Sequence, residues 1–182
     1  MSESIEKVLE CHEFVGLHSC FQPYYEIDEF KKGKQLAITS KNGNDLFDSI
    51  GSLYDYSKMD FNRKTFDYTT LNQVFAETEV AKIYYMLQRY ILANFNLKVG
   101  RVRLMRLEPK TCYTYHKDLE EFRFHLPLST NKKCFFVVDD QVCRMEELLT
   151  LYKLRTNLIH TAVNASFEIR DHLVFDTYKD EV

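Results

Sequence analysis

The chain has 182 residues, 45% of them apolar and 14% aromatic, enough for one packed core and too apolar for wholesale disorder. Its 24 basic and 27 acidic side chains leave a formal charge of −3, which excludes a general nucleic-acid binder, since such a protein needs a basic surface. No apolar run approaches the roughly 18 residues that a spanning helix requires, and MSESIEKVLECHEF at the N-terminus has no signal-peptide core.

Cys11, His12, His18 and Cys20 lie close together in the chain, but their spacing fits no common zinc finger and no second ligand pair follows. They read as side chains of a packed N-terminal segment. The five cysteines form no Cys-x-x-Cys pair and read as reduced thiols, so a cytoplasmic protein without membrane partners is expected. Lys31, Lys32 and Lys34 read as a solvated turn around Gly33. Leu36 to Ser40 reads as a short strand, and Asn42-Gly43 as a turn. Residues 52 to 70 alternate aromatic and polar positions without a clean period and read as loop with short extended pieces. The many Tyr and Phe before residue 76 are expected to serve packing.

From Glu77 to about Asn96, Val80, Ile83, Tyr84, Leu87, Tyr90, Ile91 and Phe95 recur at three- and four-residue steps, which predicts an amphipathic helix capped by Thr70 or Thr78. The period then becomes two. Val102 and Leu104 alternate with Arg101, Arg103 and Met105, and a second extended piece runs from Lys110 to His116. Phe122, Phe124, Leu126 and Leu128 share one face of a strand whose other face carries Arg123 and His125. Residues 134 to 138, 151 to 155, 158 to 163 and 168 to 176 complete a series of short strands, with a turn at Asn164-Ala165-Ser166. Helix-bearing sequence followed by many short strands predicts an antiparallel β-sandwich or barrel of the jelly-roll kind.

Two strand residues at i and i+2 face the same side, so His116 and Asp118 can reach one metal ion together. His160, in a strand-like stretch downstream, supplies a second imidazole. Two imidazoles and a carboxylate on one face leave coordination positions open, the arrangement of non-haem Fe(II) oxygenases. Arg170, ten residues beyond His160, can clamp a carboxylate through two parallel hydrogen bonds, and Arg123 with His125 can meet a second one. A metal between two cationic anchors suits 2-oxoglutarate. Each residue also has a plainer reading: His116 and Asp118 as a hydrogen-bonded pair, His125 as a packed imidazole, Arg170 as a salt-bridge partner of Asp171 or Glu168. His172 shares the face of Arg170 and either lines the site or supports it.

The segments RVRLMRLEPKTCYTYHKD, FRFHLPLSTN and HTAVNASFEIRDHLVFD resemble the aspartyl/asparaginyl β-hydroxylase family of 2-oxoglutarate- and Fe(II)-dependent dioxygenases. The resemblance covers about Arg101 to Asp176. It implies a mainly β fold: a double-stranded β-helix, jelly-roll or cupin-like, buttressed by N-terminal helices. One domain over 1–182 is expected, with a helix-bearing part to about residue 100 that shapes substrate choice and a β core over about 101–176. The family's metal ligands fall on His116, Asp118 and His160. Its cosubstrate residues fall on Arg123 and His125 at the 1-carboxylate end and on Arg170 at the 5-carboxylate end. Fe(II), 2-oxoglutarate and O2 are the implied cofactors and cosubstrates. The implied reaction hydroxylates an amino-acid side chain, a peptidyl Asp or Asn or a free amino acid such as proline, so the partner is a small molecule, peptide or protein. A non-catalytic cupin-like binder of a metal or small acid is the alternative, and a zinc hydrolase on the same ligands a third reading.

Overall fold

The computed structural model describes residues 4–53 and 64–179; part of the aromatic stretch read as loop, residues 54–63, lies outside them. In chain order come β1 (Ile5–Glu10), α1 (Asp28–Gly33), β2 (Gln35–Ala37), β3 (Thr39–Ser40), β4 (Thr70–Leu71), α2 (Glu79–Phe95), β5 (Lys98–Leu107) and β6 (Thr111–Cys112). Then follow β7 (Phe122–Ser129), β8 (Cys134–Val138), β9 (Gln141–Cys143), β10 (Thr150–Arg155), β11 (His160–Asn164) and β12 (Arg170–Tyr178). The fold is mainly β, as the alternation in the second half predicts. The chain forms two compact units, one of residues 1–18 with 105–174, the other of 19–104 with 175–182. One boundary between them falls inside β5, and the first eighteen residues go with the β-rich unit.

In that unit the strands run β1-β10-β7-β12 in one sheet and β6-β11-β8-β9 in another. β8 shows how alternation builds the interior: Cys134, Phe136 and Val138 are buried while Phe135 and Val137 are half-buried. Phe136 and Val138 join Leu107, Cys143, Met145, Tyr152, Leu154 and Ala162 in one apolar cluster. Each large side chain so buried stabilises the fold by about 1.5–3 kcal/mol. The β8–β9 hairpin turns on Asp139 and Asp140, with φ of 48° and 62°, the left-handed pair that a two-residue turn needs and that Asp tolerates. The turn after β11 is organised by the buried Asn164 amide. Its Nδ2 donates to the carbonyls of Leu107 (3.0 Å) and Glu168 (2.7 Å), and its Oδ1 accepts from the Ser166 amide (3.0 Å) and hydroxyl (2.6 Å).

In the other unit, α2 begins within two residues of its expected start. Thr78 caps it, accepting from the Val80 amide at 3.2 Å, and Asn96 ends it in a left-handed conformation (φ 52°). Val80, Ala81, Ile83, Tyr84, Leu87 and Ile91 form the buried face; Tyr90 and Phe95 are half-buried and stack on each other at 6.2 Å. The lysines around Gly33 close α1, with Lys34 at φ 55° as its cap. The strand order here is β12-β5-β2. Arg101 and Arg103 on β5 are buried like Val102 and Leu104 and share the carboxylate of Asp176 on β12: Arg101 Nε donates to Asp176 Oδ2 at 2.7 Å and Arg103 Nη2 lies 3.4 Å from both oxygens. Arg101 Nη1 also donates to the carbonyls of Ser49 and Gly51. Removing one member of such a group costs about 3–5 kcal/mol.

Candidate metal centre

His116 follows β6 in an extended stretch and forms an isolated antiparallel bridge with His160, the first residue of β11. The two exchange both backbone hydrogen bonds, at 3.1 and 2.9 Å. A hydrogen-bonded antiparallel pair presents its side chains on the same face, and the two imidazole centroids are 4.4 Å apart. Both rings are held in the same way. His116 Nδ1 bonds the Thr114 carbonyl at 2.7 Å, and His160 Nδ1 bonds the Leu158 carbonyl at 2.9 Å. A carbonyl only accepts, so each Nδ1 carries the proton and each Nε2 keeps a lone pair for a metal.

Asp118 completes the group. Its backbone amide is fixed by the Thr156 carbonyl (2.9 Å). Its carboxylate lies 3.9 Å from His116 Nε2 and 3.5 Å from His160 Nε2. One ligand atom from each residue lies within 4.8 Å of the others. Two nitrogens and one oxygen at that spacing fit a first-row divalent metal, Fe(II) included. The His160 side chain is 5% exposed and that of His116 38%, so the centre opens on one side. Among the described residues this is the one cluster of three or more such ligands. Cys11 is buried, which pushes its thiol up to about 12, and His12 is exposed.

Arg123 lies beside the candidate metal ligands: its Nη1 is paired with Asp118 Oδ2 at 2.6 Å, and Glu120 flanks the guanidinium at 3.6 Å. His125, two residues further on β7, is buried, and its ring meets Phe136 at 5.2 Å and His172 at 5.7 Å. Arg170 opens β12 and is 2% exposed, with its guanidinium carbon 5.0 Å from the Phe136 ring centre. Among the described residues neither its Nε nor its Nη1 meets a hydrogen-bond partner. Burial pushes its pKa down, against the opposing pull of Tyr113, Cys134 and Asp171.

The salt-bridge reading of Arg170 does not hold. Asp171 is held instead by Arg106, through Nε (2.8 Å) and Nη2 (2.7 Å), and by His18 at 3.2 Å. Glu168 accepts from the Asn131 amide. The Arg106–Asp171 pair had no local signal, since 65 residues separate the partners. His172 is 1% exposed and sits beside His125 and Phe136. Burial first, then Arg170 and His125, hold its pKa well below the ordinary histidine value, so the imidazole is neutral at neutral pH.

Fold and ligands together define a class: jelly-roll proteins carrying two histidines and a carboxylate on one open face. The chain belongs to the aspartyl/asparaginyl β-hydroxylase family, whose model matches residues 33–180. Solved structures share the fold at low identity. A truncated form of the viral collagen prolyl hydroxylase of Paramecium Bursaria Chlorella virus-1 superposes with a TM-score of 0.59 at 10% identity, covering 98% of this chain and 91% of that one. IDO from Bacillus thuringiensis gives 0.55 at 13% identity, with 99% and 96% covered. An oxidoreductase of the 2OG-Fe(II) oxygenase family from Burkholderia pseudomallei gives 0.52 at 15% identity, with 79% and 66% covered. No curated protein matches the chain in a sequence search. Among the described residues no helix is long and apolar enough to cross a membrane.

Proposed function

We propose that this hydroxylase-family chain is a 2-oxoglutarate- and Fe(II)-dependent dioxygenase that hydroxylates an amino-acid side chain, in a peptide or protein or as a free amino acid. The observation that carries the reading is that one compact unit holds both the open His116–Asp118–His160 group and a buried guanidinium, Arg170, whose Nε and Nη1 lack a protein acceptor. A buried cation without a partner is costly, and a carboxylate ligand supplies the missing acceptors.

In this reading His116, Asp118 and His160 hold the iron, and the Nδ1–carbonyl bonds of the two histidines keep each Nε2 aimed at it. Arg170 clamps the 5-carboxylate of the keto-acid. Arg123 and His125 serve the 1-carboxylate end, Arg123 while also fixing the Asp118 carboxylate. Iron with bound 2-oxoglutarate supplies the oxidation: O2 is consumed, the keto-acid becomes succinate and CO2, and one oxygen atom enters a substrate C–H bond. The chain's own task is to bind, orient and shield, and no separate acid or base is assigned.

The test is succinate release from 2-oxoglutarate by the purified protein with Fe(II) and ascorbate under air. It is paired with mass spectrometry of a cell extract for a 2-oxoglutarate-dependent gain of one oxygen. Succinate formation supports the oxygenase. Its absence across broad substrates, with metal bound, supports the non-catalytic binder.

A further inference from the structure

The neutral imidazole of His172 is the least explained buried group in this unit. It is 1% exposed, and neither Nδ1 nor Nε2 meets a hydrogen-bond partner among the described residues. Histidines placed for structure alone normally satisfy at least one ring nitrogen when fully buried. An apolar residue would fill the same place without leaving two polar atoms bare.

Its neighbours say what it faces. Residues i and i+2 of a strand share a face, so His172 lies on the side of β12 that carries Arg170. His125, on β7, stands 5.7 Å from it, ring to ring. Phe136, the ring under the Arg170 guanidinium, is 6.3 Å away. The nearest carboxylate in sequence, Asp171, is next to it on the strand and is held by Arg106 and His18. Three nitrogen-bearing side chains therefore converge on one buried spot floored by an aromatic ring.

We propose that His172 is a specificity-determining residue of the Arg170 anchor, donating one ring N–H to the distal carboxylate of a bound keto-diacid. This rests on the oxygenase reading above and adds a residue to it. Arg170 supplies the charge and two donors, while His172 supplies a third donor without adding a second cation. Because the imidazole is neutral, either tautomer serves. The consequence is selectivity for 2-oxo acids that end in a carboxylate over those that end in a methyl group.

The test is calorimetric titration of 2-oxoglutarate and of 2-oxovalerate, which lacks the distal carboxylate, into Mn(II)-loaded protein without O2. Wild type is expected to prefer 2-oxoglutarate. His172→Phe is expected to weaken 2-oxoglutarate binding about tenfold or more while leaving Mn(II) and 2-oxovalerate binding unchanged, and His172→Gln, which keeps a donor, to recover part of the loss. A His172→Phe protein that holds Mn(II) and binds both acids as wild type does would overturn the assignment and leave the oxygenase reading standing. Failure of wild type to prefer 2-oxoglutarate would sink both. A second measurement is independent of whether the variants fold. In Zn(II)-loaded wild type carrying 15N-histidine, a His172 ring proton should move downfield with 2-oxoglutarate and not with 2-oxovalerate. A resonance indifferent to both acids also overturns the proposal.

Discussion

Arg123 and Asp118 are joined by a 2.6 Å contact between Nη1 and Oδ2, five residues apart in the chain, with both side chains largely buried. The carboxylate that faces the two imidazoles is thus also held by a cation, through the same oxygen that lies 3.5 Å from His160 Nε2. Its orientation does not depend on a metal to set it, which is how neighbouring groups commonly tune a ligand.

His116→Ala and Asp118→Ala should each lose tight Fe(II) or Mn(II) binding while keeping the fold. His116 is half-exposed, so its removal should change stability by no more than about 1 kcal/mol. Metal titration followed by a thermal melt checks both parts. A variant that binds iron at full strength removes that residue from the ligand set.

Arg170→Ala should raise the 2-oxoglutarate concentration needed for half-maximal turnover by at least about a hundredfold, since a charged hydrogen bond contributes about 1.5–3 kcal/mol and two are lost. Iron affinity should change far less. Equal losses in both titrations would argue that Arg170 supports the metal centre instead.

Asp171 gives a pH prediction. Burial acts to raise its pKa, but the hydrogen bonds from Arg106 and His18 outweigh that and hold the carboxyl below its ordinary value. A depressed folded pKa means stabilisation that is fully present above the unfolded value, about pH 4, and lost as pH falls through the folded one. The difference in melting temperature between wild type and Asp171→Asn should therefore shrink as the pH falls below about 4. At neutral pH Arg106→Ala should destabilise by about 3–5 kcal/mol, because it leaves a buried carboxylate short of its main partner. Denaturant titration measures that directly.

Thr78→Ala removes the side-chain acceptor for the Val80 amide and should cost about 1 kcal/mol. Thr78→Ser keeps the oxygen and should recover most of it. Chemical denaturation of the two variants side by side decides the matter, and equal losses would assign the effect to the threonine methyl group.

Elements with a strong local period were legible in the sequence. Seven apolar positions at helical spacing placed α2, alternation placed β5 and β7, and a short apolar run placed β8. Local signals were weaker elsewhere. β1 pairs with β10 through a register shift between Lys7 and Leu9, so its apolar residues keep no clean period. β9 is three residues long and exists because the Asp139-Asp140 turn folds it back on β8. At the site, the two-residue spacing gave His116 with Asp118, and the bridge then brought His160 beside them. What could not be read locally was pairing across long separations: Asp176 with Arg101 and Arg103, and Asp171 with Arg106. Those partners decide which arginines are spent on structure and leave Arg170 Nε and Nη1 without an acceptor among the described residues.

β12 carries Arg170, Asp171 and His172 in succession, with Asp171 pinned on one side and the two nitrogen-bearing residues on the other. The alternation works as a key. A slip of one residue turns every side chain to the opposite face. Such a slip would thrust a carboxylate into the spot proposed for an acidic ligand and strip Arg106 of its counterion. Repulsion at one face and an orphaned cation at the other would penalise the misaligned strand together, so the same charges proposed to select the ligand also proofread the folding of the strand that holds it.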